Sequence, residues 1–558
     1  MMKRFLVVAA IGVFAGNAWP QQPGVPERKA VPDVMRVGVT GAEHKLTLAE
    51  AIELAMSNNQ DIEIQRAVTE FNKAALRGAL GVFDPSLRWQ QSIESRNSPT
   101  ASVLQGAGGK LSEHFFNENV FFNQKLPWQG TSVHADFENG RQSSSNIFSS
   151  LNPYTQSRLT LGFTQPLLRN RKIDAERTQL LLRKKQVDLS ESDFEVRVID
   201  IVTRVAQAYW DLVAVRQNLQ VTSEAVGLSQ AQFDRNQRMI SSGTLAPVEL
   251  AASRAELEKR LDDYYSAAGG VTEAENALKQ LLAPNRGAAL WGEQLIPVDL
   301  KLEVPETVDL APLVGSAIQK RPELRQTQIQ RESNRIEEAQ NANLLKPLVN
   351  FVGSYSNTGL AGSIRPGDNP FTSSSAASND RLNALSALAG LPPLPSSSFG
   401  SIPPALIGGY GQTLSNLFGG NYQSAQIGLN VDLTFRNRAA KASLAQNAIT
   451  EKRLKLIESQ AEQVIEAQVR NALQALQTAR QRITAANASE AASREKLESE
   501  TRLFQSGEST NFLVLTRQNE FLDARRRAVV AQLDYNKAVA RFEQAVGSTL
   551  EQHHIAVK

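Results

Sequence analysis

The sequence contains no cysteine. That excludes disulfides, thiolate metal centres and anchoring through a lipidated cysteine. Beyond the N-terminus there is also no uninterrupted apolar run of the roughly 18 residues that a membrane-crossing helix needs. If the mature chain crosses a bilayer, it must do so as strands of a closed barrel. Neither sign of charge dominates: 60 Lys and Arg stand against 57 Asp and Glu, a net charge of +3. Nucleic acid is therefore not an expected partner, because that role calls for a basic excess or stripe. Histidine is scarce. His44, His114, His134, His553 and His554 include no metal-ligand spacing with carboxylates on a helix, and the terminal pair reads as a solvated tail. No Gly-x-Ser-x-Gly, phosphate-binding glycine loop or dinucleotide fingerprint occurs. No catalytic residue, cofactor or metal is expected, and Glu256 and Glu258 read as part of a solvated helix face.

What is present begins with a secretory pattern. Lys3 and Arg4 precede the apolar stretch Phe5 to Ala15, and Gly16 and Ala18 are small residues at plausible cleavage positions. Residues 1–18 read as a signal peptide. The alternative, an uncleaved anchor, needs a longer apolar stretch of about 20 residues. Pro20, Pro23, Pro26 and Pro32 make residues 19–45 an extended leader.

The chain then repeats itself once. Asp84-Pro85 and Lys346-Pro347 place prolines 262 apart, Leu168 to Arg171 resembles Phe435 to Arg438 at an offset of 267, and Ser242-Gly243 matches Ser506-Gly507 at 264. A period this long implies two structural halves and not a solenoid. The expected halves are residues 46–283 and 311–548, each a helix, strands and a long helical hairpin. A proline-interrupted linker at 284–310 joins them, and a tail follows at 549–558.

Apolar residues recur every seven positions: Val198, Val205, Leu212, Leu219, Val226, Phe233 and Ile240, then Leu250, Leu257, Tyr264, Val271 and Leu278. The second half repeats the spacing with Val469, Leu476, Ile483, Leu497 and Phe504, interrupted by Glu490, and then Val514, Phe521, Ala528, Tyr535 and Phe542. Strict sevens predict helices packed along a left-handed seam. Some 65 helical residues span roughly 100 Å. Gly243 and Gly507 suit the left-handed position after a helix end, and Pro247 suits the next helix's first turn. On the helices alone, a periplasmic or surface coiled-coil scaffold would be a competing explanation.

Other segments alternate with period two. Ala425, Ile427, Leu429, Val431, Leu433 and Phe435 are apolar between polar or small neighbours. Leu159, Leu161 and Phe163 alternate likewise, as do Thr131 to Glu138, Leu87 to Glu94 and Val349 to Tyr355. Gly-, Ser-, Asn- and Pro-rich interruptions at 97–112, 141–157 and 359–421 read as long outer loops, and Leu126 to Gly130 as a short turn. A few strands cannot close a barrel alone, so a membrane role requires several copies to share one.

Duplicated halves with strands and a long hairpin resemble the TolC-like outer-membrane efflux family. Leu46 to Ile52 with Asn58-Asn59, Ala208 to Leu212, and Gly243 with Leu250 and Leu257 are similar to its local wording. The resemblance implies a mixed α/β membrane protein: a homotrimer whose outer-membrane β-barrel continues into a long periplasmic α-helical barrel. It implies a passive conduit of a tripartite efflux or type I secretion system, working with a periplasmic adaptor protein and an inner-membrane pump. The hairpin tips Gly243, Thr244, Leu245, Gly507, Glu508 and Ser509 would meet the adaptor. Where some relatives carry acidic rings, this sequence has Leu513 and Thr516, which makes them a candidate constriction. The other account of Leu513 is seam packing. The family usually shows two strands per half, whereas here an additional hairpin is expected near 113–125 and 131–140. It would either widen the barrel or fold outside it.

Overall fold

The computed structural model describes residues 36–101, 109–244, 246–299, 309–365, 370–394 and 402–556. Thr47 begins the first helix. Its hydroxyl accepts the Glu50 N–H at 3.1 Å and caps a helix where four donors would otherwise be unpaired. The elements run β1 (Glu43–Leu46), α1 (Leu48–Asn58), α2 (Gln60–Leu80), β2 (Ser86–Pro99), β3 (Lys110–Lys125), β4 (Ser132–Ser144), β5 (Leu151–Pro166), α3 (Ala175–Ser241) and α4 (Val248–Leu282). They continue β6 (Gln294–Pro297), α5 (Leu310–Lys320), α6 (Pro322–Leu344), β7 (Leu348–Ile364), α7 (Pro370–Leu388), α8 (Tyr410–Phe418), β8 (Gln423–Asp432), α9 (Arg438–Ser506), α10 (Asn511–Val546) and α11 (Thr549–Gln552).

The chain divides into two units. One combines the segment ending at Asn59 with Asp200–Leu310 and Val469–Ile555, and the other combines Gln60–Ile199 with Ala311–Gln468. The long helices α3 and α9 each contribute to both.

Of the seam residues, Val205, Leu212, Val226, Leu257, Val271, Leu278, Val469, Leu476, Val514, Phe521 and Tyr535 are buried in the first unit, and Val198 is buried in the second. The buried stripe of α3 is wider than one seam, because Ile201, Val202, Tyr209, Trp210 and Val213 are buried as well. A helix packed on two neighbours needs that wider stripe. The Tyr209 hydroxyl lies 3.0 Å from the Leu46 carbonyl and 3.1 Å from the Asp299 carboxylate. Burial raises its ionisation above the ordinary tyrosine value, so it remains a neutral donor.

The stretch between the halves is structured in part. Strand β6 pairs in parallel with β1, Glu43 opposite Gln294 and Leu46 opposite Pro297. The buried Lys279 ammonium holds this segment down: it donates to the Trp291 carbonyl at 3.0 Å and to the Glu293 carbonyl. Glu275 neutralises it at 2.8 Å and also binds Arg36 at 2.7 Å. A buried charge survives only with such partners.

The second unit carries one antiparallel sheet in the order β2-β3-β4-β5-β7-β8. The additional hairpin, β3 and β4, is thus a pair of central strands, in register with β2 on one side and β5 on the other. The expected loops are shorter than composition suggested. Arg141, Gln142, Ser143 and Ser144 continue β4, and β7 runs on to Ile364. Polar and small residues can occupy a sheet face that need not be apolar, so composition alone did not mark the strand ends. The stretch 359–421 also holds α7 and α8. Conversely, β8 ends at Asp432, before Leu433 and Phe435, because Arg436 and Asn437 take positive φ of 66° and 28°. Asn170 takes a φ of 66° at the equivalent turn from β5 into α3. The repeated Arg-Asn-Arg segment is therefore the strand-to-helix turn of both halves.

Helix α8 lies on the sheet. Asn416 donates to the Leu360 carbonyl at 2.9 Å, and a Cβ on Gly359 would sit 2.0 Å from the Thr413 carbonyl oxygen. His553 is a correction to the solvated-tail expectation. Gly547, at φ 79°, reverses the chain after α10, and the His553 imidazole comes within 3.3 Å of Glu543. Glu256 is likewise not simply solvated: it pairs with Arg260 at 2.6 Å.

Substituting Gly359 with Val should undock α8 at a cost of about 1–3 kcal/mol. Limited proteolysis within residues 402–422 should accelerate about tenfold or more, while cleavage within α3 is unchanged. Unaltered cleavage would mean that α8 does not depend on this close approach.

Candidate functional site

The sheet has one apolar face. Cross-strand partners share a face, so the register reads it directly. One row runs Leu87, Phe122, Ala135, Leu161, Tyr355 and Ala425; another begins Trp89, Val120, Phe137 and Leu159; a third runs Val133, Phe163, Gly353 and Ile427. The opposite face carries Arg88, Phe121, Asp136, Thr160, Ser356 and Ser424, then Gln90, Asn119, Glu138, Arg158 and Thr358. Its two aromatics on β3 lie under cations, Phe121 beneath Arg88 at 4.7 Å and Phe115 beneath Arg96 at 4.9 Å. One face suits hydrocarbon and the other suits water.

The apolar band slides across the register. On β2 it occupies Leu87 to Ile93, on β5 Leu159 to Phe163, and on β8 Ile427 to Val431. The row from Leu87 to Ala425 is therefore the lower edge of the band on β2 and its upper edge on β8. A slide of about six residues at ~3.3 Å over five strand spacings of ~4.8 Å inclines the strands by about 40° to the band. Strands of membrane barrels have such a tilt.

Among the described residues of the six-stranded sheet, β2 and β8 have only one neighbour each. Both are exposed almost throughout. Trp89, Ile93, Ile427 and Leu429 are among the most exposed large apolar residues of the chain.

In the other unit, the two hairpin turns are built alike. The Gly243 φ is 74° and that of Gly507 is 82°. The Thr244 N–H bonds the Met239 carbonyl and the Glu508 N–H bonds the Leu503 carbonyl, both at 2.9 Å, while Gly243 and Gly507 bond Ile240 and Phe504. This pair of bonds around a left-handed glycine satisfies the helix's last carbonyls. The Thr244 hydroxyl also donates to Met239, and Ser509 turns back to Glu500 of its own hairpin. Leu245 lies outside the described residues. Pro247, in helical conformation, immediately precedes α4, and Thr510 caps α10.

The hairpins are joined just behind these turns by polar side chains that sequence reasoning missed. Gln232 donates to Asn511 at 2.8 Å and to Asn236 at 3.0 Å, Asn236 donates to Ser253, and Asn511 donates to Glu249 at 2.9 Å. Gln232, Asn236, Ser253 and Asn511 are all buried. The available signal was polar residues four apart on α3, flanking the apolar position of Phe233. Next to this cluster, Val514 fills the seam at 1% exposure, whereas Leu513 is 37% and Phe512 73% exposed. Thr516 spends its hydroxyl on the Phe512 carbonyl at 2.8 Å.

A tilted sheet with one face for lipid, on a chain that also folds two matched helical hairpins, is the architecture of an outer-membrane channel subunit. The profile of the outer membrane efflux protein family matches residues 132–283 and 404–548, more than half of the chain, and the chain belongs to that family. Solved structures share its fold. The outer membrane channel CmeC of Campylobacter jejuni is 15% identical, with 90% of this chain and 86% of that one aligned and a TM-score of 0.59. The outer membrane protein VceC of Vibrio cholerae is 14% identical over 90% and 96%, with a TM-score of 0.55. The open MtrE channel of Neisseria gonorrhoeae is 16% identical over 90% and 89%, with a TM-score of 0.54. No curated protein sequence matches the chain. The function is that of an outer-membrane efflux channel.

Replacing Asn511 with Leu should leave Gln232 and Glu249 short of partners and cost about 1–3 kcal/mol. Thermal unfolding of the detergent-purified protein should report this as a lower midpoint. An unchanged midpoint would show that the cluster does not brace the hairpins.

Proposed function

We propose that the chain works as a homotrimer, the outer-membrane conduit of a tripartite efflux or type I secretion assembly. The observation that carries this is the sheet: an apolar face exposed in a single chain, a tilt suited to a barrel, and two free edges. In lipid, unpaired edge N–H and C=O groups have no water to bind, so the edges require other copies. The helices supply a second argument. Ile64, Val68 and Phe71 on α2 and Ile449, Leu456, Ile457 and Val464 on α9 are exposed apolar residues at helical spacing. Packing between copies would cover both stripes. A coiled-coil scaffold would explain the helices but gives no use for a lipid-compatible sheet.

In this account the helices are periplasmic, and residues 1–18 are removed on export. The halves 46–283 and 311–548, with their linker and tail, are the products of one duplication. The tips Gly243 to Leu245 and Gly507 to Ser509 face a periplasmic adaptor, and an inner-membrane pump supplies the energy, because a passive duct has none. Leu513 narrows the entrance. Its support is that Val514 already fills the seam, which leaves Leu513 available for contact with its equivalents in the other copies. Thr516, satisfied within its own helix, flanks it as an uncharged position.

Extraction from outer membranes should give a heat-modifiable trimer band on electrophoresis; a detergent-free soluble monomer would contradict the proposal. Leu513→Ser should raise closed-state single-channel conductance about twofold or more and sensitise cells to bulky antibiotics. Unchanged conductance in a folded trimer would remove Leu513 from the constriction.

A further inference from the structure

We propose that the hairpin β3–β4 widens the barrel itself, so that three copies close an eighteen-stranded wall in which β8 of each copy pairs with β2 of the next. This rests on the trimeric channel reading and goes beyond it, because it fixes the strand count, the contacting edges and their register.

Four observations meet here. First, β3 and β4 are paired over most of their lengths with both neighbours: Ser86↔Asn123 to Pro99↔Lys110 on one side and Ser132↔Thr164 to Gln142↔Tyr154 on the other. A hairpin lying outside the wall would not be hydrogen-bonded between two wall strands. Second, its apolar residues Val120, Phe122, Val133, Ala135 and Phe137 continue the band of β2 and β5, with Glu118 and Asn139 at its margin and Phe116 beyond them on the same face. Third, every neighbouring pair in the six-stranded sheet is antiparallel, so β2 and β8 run in opposite directions. An even number of strands lets identical copies join edge to edge and keep the alternation around the ring. Fourth, the two edges carry few of the devices that block pairing: the charges of β2, Arg88, Glu94 and Arg96, all lie on the water face. Neither contains lysine, β8 has no proline, and the one proline of β2 is its last residue, Pro99.

The slide of the band sets the register. Carried one spacing past β8, it brings Leu429 opposite the Trp89–Gln91 stretch of the next copy, with these side chains on the lipid face. At a fixed tilt the circumference grows with strand number, so this wall is about 1.5 times as wide as one built from four strands per chain.

The cysteine-free sequence allows a direct test. Leu429→Cys is combined with Trp89→Cys or Gln91→Cys in the full chain, and outer membranes are treated with a short thiol crosslinker. The expected result is a ladder that ends at the trimer for at least one of the two pairs. Crosslinking of Leu429→Cys to Phe137→Cys instead would place β2 and β3 outside the wall and overturn the proposal. A ladder ending at the dimer would overturn the count of eighteen. Trimers that form but link at none of these pairs would overturn the edge assignment alone, whereas a soluble monomer would overturn the channel reading beneath it. Excising Lys110–Ser144 joins the two loops at one end of the sheet and leaves β2 beside β5. Electron microscopy of that trimer should show a barrel narrowed by about a third. A barrel of unchanged width would show that the hairpin is not part of the wall.

Discussion

A strand in hydrocarbon has no water with which to satisfy its backbone, and this constraint organises the molecule. It explains why β3, β4, β5 and β7 each have two partners. It also requires β2 and β8, each with one partner in a single chain, to find the other in a neighbouring copy. The same rule explains what the two faces carry. Rows such as Leu87 to Ala425 are free of charge, while Arg88, Asp136, Glu138 and Arg158 stay on the face turned to water. Oligomerisation is thus a consequence of placing this sheet in a membrane.

The helical part follows a different rule. In water, backbone bonds are satisfied within each helix, and the helices are held by buried apolar stripes and a few polar ties. Duplication lets one solution serve twice: the turns at Gly243 and Gly507 make the same pair of backbone bonds, 264 residues apart. The copies then diverge in their side chains. Proline precedes α4 where a threonine cap precedes α10, and Asn511 joins the second hairpin to Gln232 and Glu249 of the first. Buried polar links of this kind fix register between helices that apolar seams would allow to slide.

Much of this was legible in the sequence, for identifiable reasons. Heptads at Val198 to Ile240 reported long packed helices because burial on a helix is periodic, and Gly243 and Gly507 reported turns because only glycine enters the left-handed region freely. Alternation at Ile427 to Val431 reported a strand and its faces. Alternation does not state which strands are neighbours, so the central place of β3 and β4 emerged only from the register. Strand ends were misjudged where Arg141 to Ser144 continue β4, since their composition resembles a loop. The seat of α8 on Gly359 depends on residues more than fifty positions apart, and the fold of His553 toward Glu543 depends on one glycine, Gly547. Neither leaves a periodic trace.

The central claim is that one face of the sheet touches lipid and the other touches water. Single cysteines placed alternately along the strands of the cysteine-free chain, at Trp89, Leu161 and Ile427 and at Arg88, Thr160 and Gln426, can be challenged in intact outer membranes. Charged thiol reagents in water are compared with reagents confined to the bilayer. The account predicts that the first three react only from the bilayer and the second three only from water. Reaction of both sets with the aqueous reagent at equal rates would contradict it.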